Sequence, residues 1–252
     1  MDSNCNNHLD PVIYVAESSE QAINYKWDSG TKGLNKNVKV LEPEEIKKLG
    51  EGKKHFELPY DLTPGEILVR HPYNQGYITA TDAEDEYLMA SAEGIFLVAR
   101  CLGATKITYK KCNIAEYRRE VDSDNHLRYK GTGIRLDVKN TLGQNLLNKI
   151  TMTREFPKQV FTVEQFNNAK LLAEERGLIM SRDIRSLLDA RDPELGAPMS
   201  RQTINVEISS SLNKVMDIAF TLNTVPFFNI NSNTRIATEK KYELNIEWDI
   251  IF

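Results

Sequence analysis

Cysteine is scarce in this chain: three residues in 252, at Cys5, Cys101 and Cys112. Their number is odd and their spacing matches no metal knuckle, which excludes a disulfide scaffold and leaves reduced thiols. Cys5 sits in a polar leader and is either exposed or acylated. Histidine is nearly as sparse, at His8, His55, His71 and His126. None stands near another histidine, cysteine or acid at ligand spacing, so neither a His-Glu-x-x-His helix nor a Cys-x-x-Cys knuckle is present. No metal or other cofactor is expected.

An excess of positive charge is also missing. The formal net charge is −4 and the sequence pI is about 5.7, which argues against a dedicated nucleic-acid binder. No apolar run approaches the ~18–20 residues of a membrane-spanning helix. Residues 1–10 are polar and lack the apolar core of a signal peptide, so a cytoplasmic location is expected. Signatures of nucleophilic and phosphate chemistry are absent too. There is no Gly-x-Ser-x-Gly elbow. The pairs Gly30/Gly33 and Gly131/Gly133 lack the third glycine or the lysine-serine pair of a phosphate cradle and read as turn punctuation.

What is present is the pattern of an ordinary folded protein, 40% apolar and 27% charged. Its periodicities predict an α+β fold, mainly antiparallel sheet with two principal helices. The first eighty residues read as irregular β structure. Strands are expected near residues 12–16, 38–41 and 66–70, with a short helix from Glu42 to Leu49 opened by Pro43. A long helix then opens at a Thr81/Glu84 capping box. Its apolar stripe is Tyr87, Leu88, Ser91, Ala92, Ile95, Ala99 and Leu102, closed by Gly103. Strands are predicted over 106–121, 134–138 and 147–152, with breaks at 122–125 and 131–133.

A second helix opens at Thr162/Gln165, with Phe161 and Phe166 placed as a hydrophobic staple. A short helix over 183–190 and a break at Pro193, Gly196 and Pro198 follow. Residues 212–222 carry two periods at once. Met216, Ile218, Phe220 and Leu222 suit a strand, whereas Leu212, Val215, Met216 and Ala219 suit a helix. The clearest strand is the last. Tyr242, Leu244, Ile246, Trp248, Ile250 and Phe252 alternate with Glu243, Asn245, Glu247 and Asp249, the mark of a sheet with one wet face.

The order capped helix, then strands, then a closing phenylalanine occurs twice, ending at Phe156 and Phe252. It suggests one α+β unit used twice, over 81–157 and 158–252, after an N-terminal region at 1–80; 81–252 also reads as a single domain.

Three places invite function. His71 opens a loop with Tyr73, Asn74 and Tyr77, as a binding or hydrolytic site on a strand end would. Lys110, Arg118 and Arg119 form a basic strip with interleaved tyrosines, a weak match to a single-strand nucleic-acid platform. The last strand, with Ile246, Trp248 and Ile251, is long, regular and without proline, so it reads as an edge that pairs with a second subunit. The function expected is non-enzymatic: binding or assembly by self-association or with a protein partner. A hydrolase centred on His71 is one alternative. A membrane-active protein that inserts amphipathic strands is the other.

Overall fold

The computed structural model describes residues 11–27, 37–51, 57–59, 61–72, 76–121, 127–135, 144–176, 178–180, 182–196, 198–223 and 238–252, without side chains at 26–27, 114–121, 127–135, 144–146, 180, 223 and 238–242. The fold is α+β, as the periodicities predict. Among the described residues there are seven α-helices and two sheets, mostly antiparallel. The chain gathers into two compact units, each discontinuous in sequence. One comprises Met1–Glu84, Arg118–Lys130 and Leu212–Lys240. The other comprises Asp85–Tyr117, Gly131–Ser211 and Lys241–Phe252.

The first sheet contains β1 (Val12–Val15), β2 (Val38–Leu41), β3 (Ile67–Arg70) and β4 (Tyr77–Thr79), in the order β2-β1-β3-β4. β1 and β2 run parallel, which requires a crossover, and α1 (Ser19–Trp27) supplies it. Sequence periodicity does not reveal α1: among its described side chains, only Ala22 and Tyr25 are buried. Its start is nevertheless capped: Ser18 Oγ accepts the N–H of Gln21. α2 (Pro43–Gly50) opens with proline as predicted, and Glu45 reaches back to accept the Glu42 N–H at 3.1 Å. Ile13, Val15, Leu41, Ile46, Leu68 and Tyr77 form the core of this sheet.

α3 (Ala83–Cys101) buries every residue of its predicted stripe. It ends in a Schellman motif: Gly103 has φ +85°, its N–H reaches Arg100 O, and the Ala104 N–H reaches Ala99 O. At its start, Asp82 N–H donates to Thr79 Oγ1, which donates in turn to the Asp82 carboxylate.

The second sheet has β5 (Lys106–Val121), β6 (Leu127–Arg135), β8 (Arg201–Glu207) and β9 (Thr238–Ile251), in the order β6-β5-β9-β8, with the short β7 (Arg154–Glu155) also paired to β5. β6 runs straight through Gly131-Thr132-Gly133, so the predicted break there is corrected. Residues 147–152 are corrected from strand to helix. α4 (Gln144–Ile150) covers most of them, because Leu147 and Ile150, three apart, share one buried face. α5 (Val163–Glu175) starts at the predicted box: Thr162 and Gln165 exchange side-chain-to-backbone hydrogen bonds of 3.1 and 3.2 Å. α6 (Arg182–Asp189) precedes β8, and α7 (Ser210–Asn223) settles the ambiguous stretch as helix. No helix among the described residues is long and apolar enough to cross a membrane.

Candidate functional site

β9 lies between β5 and β8, with strands on both sides, rather than at an edge. Leu244, Ile246, Trp248 and Ile250 line its covered face, each at most 1% exposed. Trp248 meets Phe96 edge-to-face, with ring centroids 5.6 Å apart, an arrangement worth about 1 kcal/mol beyond burial. Ile246 and Trp248 are therefore corrected from interface to core. The alternation that marks an edge strand with one dry face also marks a central one, because strand order is set by distant partners. Ile251 points to the other face and is 36% exposed.

The His71 loop is built tightly at its base. The His71 N–H donates to Gly76 O at 3.0 Å, and the Tyr77 N–H donates to Glu57 O at 2.9 Å. Gly76 is required there, since a Cβ would lie 2.2 Å from Glu57 O. Tyr77 belongs to the core of the first sheet, which corrects its reading as a ligand contact. Tyr73 and Asn74 lie outside the described residues, as do the side chains of Arg118 and Arg119. The structure thus brings His71 and Tyr77 to the two ends of one loop; of these two described residues, His71 is part-exposed and Tyr77 is buried.

Lys110 is exposed on β5 and acts on an ionic cluster that sequence reasoning missed. Asp249, buried on the wet face of the sheet, accepts two prongs from Arg201: Nε to Oδ1 at 2.9 Å and Nη2 to Oδ2 at 2.7 Å. Thr203 Oγ1, directly across the ladder, adds a bond of 3.3 Å. The Arg201 hydrogen bonds hold the Asp249 carboxyl below the usual carboxylate range, and Lys110 contributes to this.

The second missed residue is Arg191, which follows α6 and is only 6% exposed. Its Nε donates to Leu102 O at 3.0 Å and its Nη1 to Met199 O at 2.9 Å. The guanidinium carbon lies 4.3 Å from the ring centroids of both Phe161 and Phe252. Burial lowers its pKa, yet a guanidinium stays charged, and Leu102 O offers it the negative end of the 19-residue α3. One cation thus ties four distant segments: the end of α3, the approach to α5, the loop before β8, and the residue after β9. Nothing local in the sequence betrays it, because its partners are two backbone carbonyls and two rings far along the chain.

Several large apolar side chains stand in solvent beside these tied segments. Val160 is 84% exposed and precedes Phe161. Leu195, 70% exposed, lies in the turn after Arg191. Met199, 50% exposed, lends its carbonyl to the clasp, and Ile251 precedes Phe252. The turn holding Leu195 is itself fixed, by Leu195 N–H to Asp192 O and Glu194 N–H to Asp192 Oδ1. The exposed apolar groups thus sit next in sequence to residues that Arg191 or its turn ties by hydrogen bonds and ring contacts. Among the described residues no three His, Cys, Asp or Glu side chains group to hold a metal ion. Comparison with known protein families, with curated proteins and with solved structures finds no match to this chain.

Proposed function

We propose that this protein acts through protein–protein contact, by self-association in the first instance, with the segments around Arg191 as the contact surface. The observation that carries this reading is the set Val160, Leu195, Met199 and Ile251. These are apolar side chains exposed on segments that a buried cation holds in place. Exposed apolar groups on a rigid frame favour association twice over: they gain by leaving water, and little ordering entropy opposes them.

The test is solution mass by light scattering over a concentration series. Self-association predicts a rise from 28.8 kDa to a discrete multiple, and its loss when Val160 and Leu195 are both replaced by lysine. A constant monomer mass, or an oligomer indifferent to the two lysines, refutes this surface.

A further inference from the structure

β8 stands last in the sheet order β6-β5-β9-β8, and its outer edge carries backbone groups to spare. In an antiparallel ladder a residue turns both its backbone groups to the neighbouring strand or both away from it. The Phe252 N–H reaches Ser200 O, and the Ile208 N–H reaches Leu244 O. The even residues of β8 therefore bond to β9, and Arg201, Thr203, Asn205 and Glu207 turn N–H and C=O outward. Among the described residues nothing bonds to these outward groups. The same edge is taken up only before them, at Met199, whose N–H reaches Ala190 O and whose carbonyl accepts from Arg191 Nη1. Exposure agrees with this. Thr203 and Asn205 stand in solvent, whereas on β9, with a strand on either side, Asn245 and Glu247 are half-buried and Asp249 is buried.

The usual guards of an edge are missing from β8. It has no proline and no lysine, and it pairs with β9 residue for residue from Arg201 to Glu207, without a bulge. Its two charges are drawn back into the chain. The Arg201 guanidinium leans onto Asp249, and the Glu207 carboxylate accepts the N–H and the hydroxyl of Ser209.

This edge is also complementary to itself. In a second β8 laid antiparallel with Ile204 opposite Ile204, Arg201 meets Glu207 and Thr203 meets Asn205, each twice. All four are outward residues, so every pair can exchange two hydrogen bonds, and no like charges face each other. A slip of two residues one way sets Glu207 against Met199, whose groups are already taken. A slip the other way sets Arg201 against Ser209, where the chain has left the strand for α7.

We infer that the outer edge of β8 is a joint between two copies of this chain, paired antiparallel about Ile204 into one continuous sheet. The inference rests on the self-association reading and supplies its joint, on an edge that begins where the Arg191 clasp ends. Pairing of this kind uses the same edge of both copies, so through it the assembly closes as a dimer.

The experiment uses the full-length protein. Its mass by light scattering should rise with concentration from 28.8 kDa to twice that value, and exchange at the Thr203 and Asn205 amides should slow by on the order of tenfold as it does. Asn205→Pro removes an outward N–H and none of the bonds to β9, so this variant should stay monomeric, with its urea midpoint reporting that it folds. Paired charges decide the matter if the proline variant does not fold. Thr203→Lys with Asn205→Lys puts lysine against lysine across the joint and should weaken the dimer by on the order of tenfold or more, whereas Thr203→Lys with Asn205→Glu puts lysine against glutamate and should restore it. A dimer indifferent to these substitutions, or one whose Thr203 and Asn205 amides exchange as fast as in the monomer, overturns the joint at β8 and leaves self-association standing. A monomer at every concentration overturns both.

Discussion

Arg201 and Asp249 meet diagonally across neighbouring strands, with the guanidinium Nη2 2.7 Å from Oδ2. The arginine is largely exposed and the aspartate is buried. The pair therefore matters chiefly for what it does to the carboxylate. With the Asp249 pKa lowered in the folded state, its stabilisation is fully present above the unfolded carboxyl value of ~3.9 and fades as pH falls through the folded value. Urea midpoints measured at neutral pH and near pH 3 should differ in the natural protein. The difference should shrink in Asp249→Asn, which carries no charge to lose.

Arg191→Leu should destabilise the unit containing it by roughly 2–4 kcal/mol, because two carbonyls lose donors and two rings lose a cation. Arg191→Lys should recover only part of this, since an ammonium cannot reach both carbonyls while lying flat between rings. Urea denaturation of both variants, followed by tryptophan fluorescence, checks the order Leu below Lys below Arg.

Gly76→Ala should be costly despite its small size. The added carbon meets Glu57 backbone, not a yielding side chain, so the loop base must open, at a cost of about 2 kcal/mol or more. Hydrogen exchange at the Tyr77 amide, which donates to Glu57 O, should quicken in this variant more than exchange at Val15.

The thiols of Cys101 and Cys112 should label slowly. Burial raises both, Cys112 to about 11, so at pH 8 about one Cys112 in a thousand is thiolate. In a Cys5→Ser variant, thiol titration at pH 8 should give little fast reaction until urea is added.

Much of the fold is legible in the sequence wherever a residue's neighbours along the chain determine its surroundings. The α3 stripe, Gly103, the Thr162/Gln165 box and the even face of β9 are local patterns, and each is found where the sequence puts it. α1 escapes because its described side chains bury a face only two residues wide, and 147–152 misleads because so short an apolar run carries no clear period. The place of β9 in its sheet and the partners of Arg191 depend on residues up to about a hundred positions away. No local pattern reports such pairings, which is why Ile246 and Trp248 read as surface when they are core. The proposed contact residues escape for a similar reason, because exposure of a single Val, Leu or Met has no signature of its own.

β9, paired with β5 on one side and β8 on the other, is made after both of them. Until Thr238–Ile251 has left the ribosome, β5 and β8 have nothing between them, and each holds open an edge that the finished protein hides. The ladders of β9 with β5 and β8 can form only after these residues are made, whereas the four strands of the first sheet are all made by Thr79. A growing chain paused before β9 would expose strand edges that β9 later covers, and its safe production rests on how quickly that strand arrives.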